Sequence, residues 1–376
     1  MAVITDEMIA RLVEAGLYDP SGEDAEQKLE LIAHLQERGA TIQQMAAADR
    51  DGRLLAVAAD LAMFDFGVPM TIEEVASAAD VPVERVMRVR LARGLPAEPG
   101  ASLPAWAPED VAGFDLGAAF FGEGPILAFS RVMGASAARI GEAAVSLFLK
   151  EVEAGLDASG ASLLERAVAN ESASDLVNVV TTLMDHLVRE HLELAVRRQR
   201  QSASGWARTE AEMAIGFVDL AGSTEWATRI TLREQADALA LFESAAWDIA
   251  TSRGGRVVKL IGDEAMFAAT DPGQACRIAL ELCEAVDAEP LLPRARGAVG
   301  FGAVIIRDGD YFGPLVHVTA RAVKQAGEGA VVVTEGVRGQ RRGERAGLRF
   351  DSIGAHELRG IETPVALYQV TAEEAV

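Results

Sequence analysis

Met213-Ala214-Ile215-Gly216-Phe217-Val218-Asp219 reads as a buried strand that is apolar without alternation and ends on a carboxylate. The small, polar stretch Leu220-Ala221-Gly222-Ser223-Thr224 follows at once. A second run, Val257-Val258-Lys259-Leu260-Ile261-Gly262-Asp263-Glu264, reads as a strand, a tight glycine turn and a returning strand. A carboxylate at the end of a buried strand is costly to desolvate, and a divalent cation is the usual compensation. Two of them on neighbouring strands suit a pair of cations about 3.5–4 Å apart, the arrangement of in-line phosphoryl chemistry. Taken singly, each aspartate could equally cap a turn or a helix.

A third element lies downstream. Gly309-Asp310-Tyr311-Phe312-Gly313-Pro314-Leu315-Val316-His317-Val318-Thr319-Ala320-Arg321 reads as a turn leading into a helix. His317 and Arg321, four residues apart, share a face of that helix and can reach one ligand. With these three motifs in this order, residues 209–371 resemble the class III nucleotide cyclases, which convert a nucleoside triphosphate into a cyclic 3′,5′-monophosphate. The resemblance implies an α+β fold: an all-helical N-terminal regulatory domain followed by a ferredoxin-like (βαββαβ) class III cyclase catalytic domain.

It also implies roles. Asp219 and Asp263, with the backbone carbonyl of Leu220, would hold two Mg²⁺ or Mn²⁺ ions per active site. Gly222, Ser223 and Thr224 open a helix whose N–H groups suit the β- and γ-phosphates of ATP. Capping of that helix by Ser223 is compatible with this. Lys259 and Asp310 would read adenine, one bonding a ring nitrogen and the other accepting from the exocyclic amine. Guanine offers an oxygen where adenine offers that amine, so the pair favours ATP over GTP. Arg321 would stabilise charge on the α-phosphate. Arg359 aligns with a phosphate-contacting lysine, and a surface ion pair is its plain alternative. His317 departs from the family, which has Asn there, and leaves a catalytically weak nucleotide-binding switch as the second reading. In the family the aspartates and the Lys, Asp, His/Asn and Arg set come from different subunits, so a head-to-tail homodimer with two shared sites is implied.

Composition bounds the rest. A chain of 376 residues, half of them hydrophobic, suggests two domains with sizeable cores. No apolar run reads as a membrane span and no signal pattern is seen, which gives a cytoplasmic expectation. Cys276 and Cys283, seven apart on one helix face, read as reduced core packing. The formal charge is −22, and residues 1–200 carry 17 Lys and Arg against 32 Asp and Glu. Such an acidic front half argues against nucleic acid as a general partner.

The boundaries read as a helical domain over 1–203 with a connecting helix at 172–203, a linker at 204–208, and the catalytic domain at 209–376. Helical spacing recurs at 5–16, 24–38, 41–47, 52–65, 71–79, 82–93, 126–155, 160–169 and 172–200. Leu95 to Pro125 reads as the least regular part. Strand-like runs lie near 212–219, 255–261, 264–269, 295–306, 330–334, 348–353 and 365–371. Helices fill 223–252, 272–287, 314–327 and 335–343, and this order suits a sheet with helices on one face.

The helical half resembles the autoregulatory part of actinobacterial soluble cyclases, which implies a proton or a lipid as regulator. Phe120-Phe121, Ile126-Leu127, Phe129, Val132-Met133 and Leu147-Phe148-Leu149 could enclose a fatty acid, or simply pack helices. His186 and His191 on the connecting helix could report pH. Residues 70–96, with Arg85, Arg88, Arg90 and Arg93, resemble a helix-turn-helix, for which a structural helical pair is the preferred reading.

Overall fold

The strand that opens the C-terminal half, β1 (Glu210–Leu220), is buried on both faces over most of its length, and the sheet is organised around it. In the computed structural model, which describes residues 5–63, 68–98, 100–201, 210–340 and 347–373, the chain divides into two compact units, Met1–Leu192 and Glu193–Val376. The division falls earlier than the expected boundary at 203, and the expected linker at 204–208 lies outside the described residues.

In the helical unit, α1 (Asp6–Glu14), α2 (Ala25–Glu37), α3 (Ile42–Arg50) and α4 (Val57–Met63) enclose a core around Leu12, Leu31, Ile32, Leu35 and Met45, closed by Ala167. A second core joins α5 (Ile72–Ala78), α6 (Val83–Ala92) and α7 (Ala107–Phe121) through Val75, Val86, Leu103 and Val111. Capping boxes start α3, from Thr41 and Gln44, and α5, from Thr71 and Glu74. Helix α7 corrects the reading of 95–125 as irregular. Pro108 sits in its first turn, where a missing N–H costs nothing, and Glu109 and Asp110 favour that end.

Helix α8 (Glu123–Phe148) continues through a π turn at Leu149–Glu153 into α9 (Ala154–Ser159). By length and composition Glu123–Ser159 passes as a membrane span, contrary to the expectation that no run would, and the apolar window is unburied. Phe120, Phe121, Phe129 and Leu147 are likewise exposed. The segments expected at 160–169 and 172–200 form one helix, α10 (Leu163–Gln201). The helix-turn-helix arginines are committed internally: Arg85 to Asp115 and Glu123, Arg88 to Glu123, Arg90 to the Pro96 carbonyl and Arg93 to Asp110. That supports the structural reading of residues 70–96.

In the second unit β1 is followed by α11 (Ser223–Ala227), α12 (Leu232–Ser252), β2 (Arg256–Ile261), β3 (Glu264–Ala269), α13 (Pro272–Asp287), β4 (Ala295–Arg307), β5 (Asp310–Phe312), α14 (Pro314–Ala322), β6 (Val331–Thr334), α15 (Glu335–Arg338), β7 (Leu348–His356) and β8 (Val365–Ala372). The sheet runs β2-β3-β1-β4-β6-β8-β7, with β5 paired to β4. β1 lies antiparallel between β3 and β4, so β1-α12-β2-β3-α13-β4 forms the ferredoxin-like core expected.

Helices cover both faces of this sheet, not one. Ala214 and Val218 of β1 pack with Phe242 of α12 and Ile278 and Leu282 of α13. Met213, Ile215 and Phe217 pack on the side of α14 with Ala322, Val323 and Leu358. A strand apolar on both sides needs cover on both. The helix expected at 223–252 breaks in two, because Thr231 and Glu234 start α12 with their own capping box. The helix expected at 314–327 ends as an α-helix at Ala322 and closes with a 3₁₀ turn at Val323–Gln325. The helix expected at 335–343 ends at Arg338, and the expected residues beyond 340 lie outside the described ones. Cys276 and Cys283 are buried in α13, and burial pushes both thiols up to about 12.

Candidate active site

Strand register brings the two carboxylates together. Asp219 pairs across β1 and β3 with Glu264, and across β1 and β4 with Arg296. The Leu220 N–H donates to the Asp263 carbonyl at 3.0 Å, joining the ends of the two runs directly. Gly262 takes φ +63°, as glycine must at the first central position of the two-residue turn between β2 and β3. Asp219, Leu220, Gly222, Ser223, Thr224, Asp263, Glu264 and Arg296 line one cleft of about 420 Å³ together with Lys324. Gly222 is the N-cap of α11 at φ +69° and makes no side-chain cap bond, so Ser223 lies inside the first turn rather than capping it.

Glu264 and Arg296 were not singled out from the sequence. Glu264 adjoins Asp263 and could have been suspected. Arg296 is 77 residues from Asp219 and needed the β1–β4 register to be seen. Its Nη2 donates to Asp219 Oδ2 at 2.9 Å and its Nε at 3.2 Å. Burial pushes the Asp219 carboxyl up, Arg296 opposes this, and the Asp263 charge adds to the rise. Burial, with Asp219 and Asp263 nearby, pushes Glu264 up to about 7.

The charge of Asp263 adds to the rise at both Asp219 and Glu264, and a divalent cation would relieve that repulsion. Among the described residues no group of three or more His, Cys, Asp or Glu is placed to hold a metal alone. The two aspartate carboxylates that line one cleft are donors of the kind Mg²⁺ takes, with phosphate oxygens and water completing its shell.

Glu264 gives a pH prediction for protein kept in chelator. Its folded value near 7 lies above the ordinary 4.5, so the folded state holds more protons between those limits. Its contribution is complete below about 4.5 and is lost as pH rises through about 7. Glu264→Gln should flatten the fall in urea-unfolding stability between those pH values. An unaltered slope in the variant would show that another group carries it.

A second cleft, of about 670 Å³, adjoins the first and shares Glu264, Ala320 and Lys324 with it. His317, Arg321 and Arg359 line it. α14 presents His317 and Arg321 on one face as the spacing predicts, and Arg321 Nη1 donates back to the His317 carbonyl at 3.3 Å. The loop after Leu358 brings Arg359 to this cleft; a Cβ at Gly360 would lie 3.8 Å from Arg321 Nη2.

Lys259 and Asp310 meet each other: Nζ lies 2.5 Å from Oδ2. Among the described residues they lie outside the linings of both clefts. Asp310 sits not in a plain turn, as first read, but at the start of β5, in a hairpin with β4. Asp308 and Gly309, at φ +55° and +79°, form its turn, and that Asp-Gly pair between apolar runs was the available signal.

The resemblance to class III nucleotide cyclases read from the motifs is matched by relatives named adenylate cyclase. The chain is 31% identical over 212 residues to an adenylate cyclase of Streptomyces coelicolor, covering 54% of this chain and 53% of the relative. It is 28% identical over 223 residues to a pH-sensitive adenylate cyclase of Mycobacterium tuberculosis, covering 56% and 55%. The chain spans about half the length of these named cyclases. An uncharacterized protein of Mycobacterium tuberculosis aligns along nearly the whole chain, 27% identical over 363 residues, covering 96% of this chain and 93% of the relative. Among solved structures, the adenylyl cyclase CyaB of P. aeruginosa matches 44% of this chain and 96% of its own, with 18% identity and a TM-score of 0.39. No family model matches the chain.

Proposed function

We propose that this protein is an adenylate cyclase that converts ATP to 3′,5′-cyclic AMP and pyrophosphate, working as a homodimer with shared sites. The observation that carries this reading is convergence. Asp219 and Asp263, Gly222 to Thr224, and His317, Arg321 and Arg359 come from four stretches of chain and line two adjoining clefts. The relatives named adenylate cyclase support the same chemistry.

Two Mg²⁺ or Mn²⁺ ions held by Asp219, Asp263 and the Leu220 carbonyl would acidify the ribose 3′-hydroxyl and offset the charge of the triphosphate. The chain's own groups do the rest. N–H groups at Gly222 to Thr224 hold the terminal phosphates. Lys259 and Asp310 orient adenine and disfavour guanine, whose oxygen would face an acceptor. Arg321 spreads its donors over the α-phosphate as charge builds there, with His317 donating from the adjacent turn and Arg359 gripping the phosphates. The aspartates of one protomer serve with the α14 face of its partner. The reading requires the cytoplasm, where ATP is available.

Incubation with ATP and Mg²⁺ or Mn²⁺, with cyclic AMP measured, tests the proposal. Metal-dependent ATP binding without product would instead favour the weak switch that His317 suggests. The relative named pH-sensitive, and the exposed His186 and His191 on α10, support proton control by the helical unit. The same assay across pH on both alanine variants decides that point, an unchanged profile removing it.

A further inference from the structure

The base-reading hairpin is tied to β2 by a side chain that no motif points to. Arg256 Nη2 donates to the Gly309 carbonyl at 2.8 Å, at the tip of the β4–β5 turn. Its guanidinium carbon also lies 5.3 Å from the centre of the Tyr311 ring, which is buried in the core on the α14 side. The two contacts flank Asp310. The carboxylate itself is fixed from within and from without: Oδ1 accepts the Tyr311 N–H at 2.7 Å, and Oδ2 accepts from Lys259 at 2.5 Å.

A bulge makes this possible. Residues three apart on a regular strand face opposite sides. The β2–β3 register slips between Val257 and Lys259, so Arg256 and Lys259 both reach the same hairpin. Val257 and Leu260 pack into the core of α12 and α13, while Val258 packs on the α14 side, which is the pattern such a slip produces.

We infer that Arg256 is a positioning residue for base selection, holding the turn at Asp308–Gly309 in place while Asp310 and Lys259 exchange their mutual ion pair for bonds to the base. This rests on the reading of Lys259 and Asp310 as the base-recognition pair. The physical reason is a division of labour. The Lys259–Asp310 bond ties the hairpin to β2, but it is the bond that a bound base must share. The Arg256 bond goes to a backbone carbonyl that no base displaces, so it keeps Asp310 at its distance from Lys259 when the ion pair opens. A carboxylate free to drift could also turn away from guanine's oxygen, and discrimination would suffer before turnover did.

The test compares wild type, Arg256→Gln and Arg256→Lys for kcat and KM with ATP and with GTP, and follows amide hydrogen exchange at Tyr311 and Phe312. Arg256→Gln should lower the ATP-over-GTP preference about tenfold, mainly through KM for ATP, and speed exchange in the hairpin. Arg256→Lys, which keeps a cationic donor, should recover most of both. Parallel losses with ATP and GTP that track a lower Tm, or unchanged hairpin exchange in Arg256→Gln, would overturn the inference. If wild type makes no cyclic nucleotide, the cyclase reading fails on its own. Hairpin exchange and the ratio of ATP to GTP binding in Mn²⁺ then still decide the role of Arg256.

Discussion

Asp219→Ala and Arg321→Ala proteins should each lose at least about 10²-fold in turnover, yet regain about a quarter of wild-type activity when mixed in equal amounts. The fraction follows from symmetry. Random exchange makes half the dimers mixed, and each mixed dimer joins the intact aspartate of one protomer to the intact arginine of the other at one of its two sites. The alternative is real, because the cleft with Asp219 and Asp263 adjoins the cleft with Arg321 within a single protomer. A site completed inside one chain would leave the mixture as inactive as its components. Co-purification of untagged Arg321→Ala protein with tagged Asp219→Ala protein, confirming that subunits have exchanged, makes that outcome decisive.

Gly216→Val should destabilise the catalytic unit by about 3 kcal/mol, seen as a lower urea midpoint, and remove activity with it. Gly216 has no need of an unusual backbone; it needs space, because a Cβ there would overlap the Phe267 ring on the neighbouring strand. Phe267 is 1% exposed and has no room to turn aside. The Gly216→Val/Phe267→Ala double variant should lose less than the sum of the two single losses, since the smaller side chain vacates the volume that valine takes. Strict additivity would mean that the two side chains do not compete for one space. The site depends on this contact, because Asp219 lies on the same strand three residues later.

Much of the catalytic unit was legible because its strands are short, apolar and cut by glycine. The extent of β3 (Glu264–Ala269) and of α13 (Pro272–Asp287) matches the sequence reading, and Asp219 and Asp263, at the ends of the two apolar runs, line one cleft. What stayed hidden depends on distance along the chain. Arg296 looks like any charged strand residue until β4 is laid against β1 and it meets Asp219. α7 was obscured by its own composition, since glycine and alanine at Gly113, Gly117 and Ala118 blur a helical stripe that only packing resolves. The cover on both sheet faces was visible in principle, because an apolar run without alternation such as Met213 to Val218 has no side to offer water.

Helix α10 carries a mechanical constraint. It is rooted in the first core through Ala167 and runs unbroken for 39 residues to Gln201, a rod of about 58 Å. No glycine or proline interrupts it, so its own sequence supplies neither of the residues at which helices most readily kink.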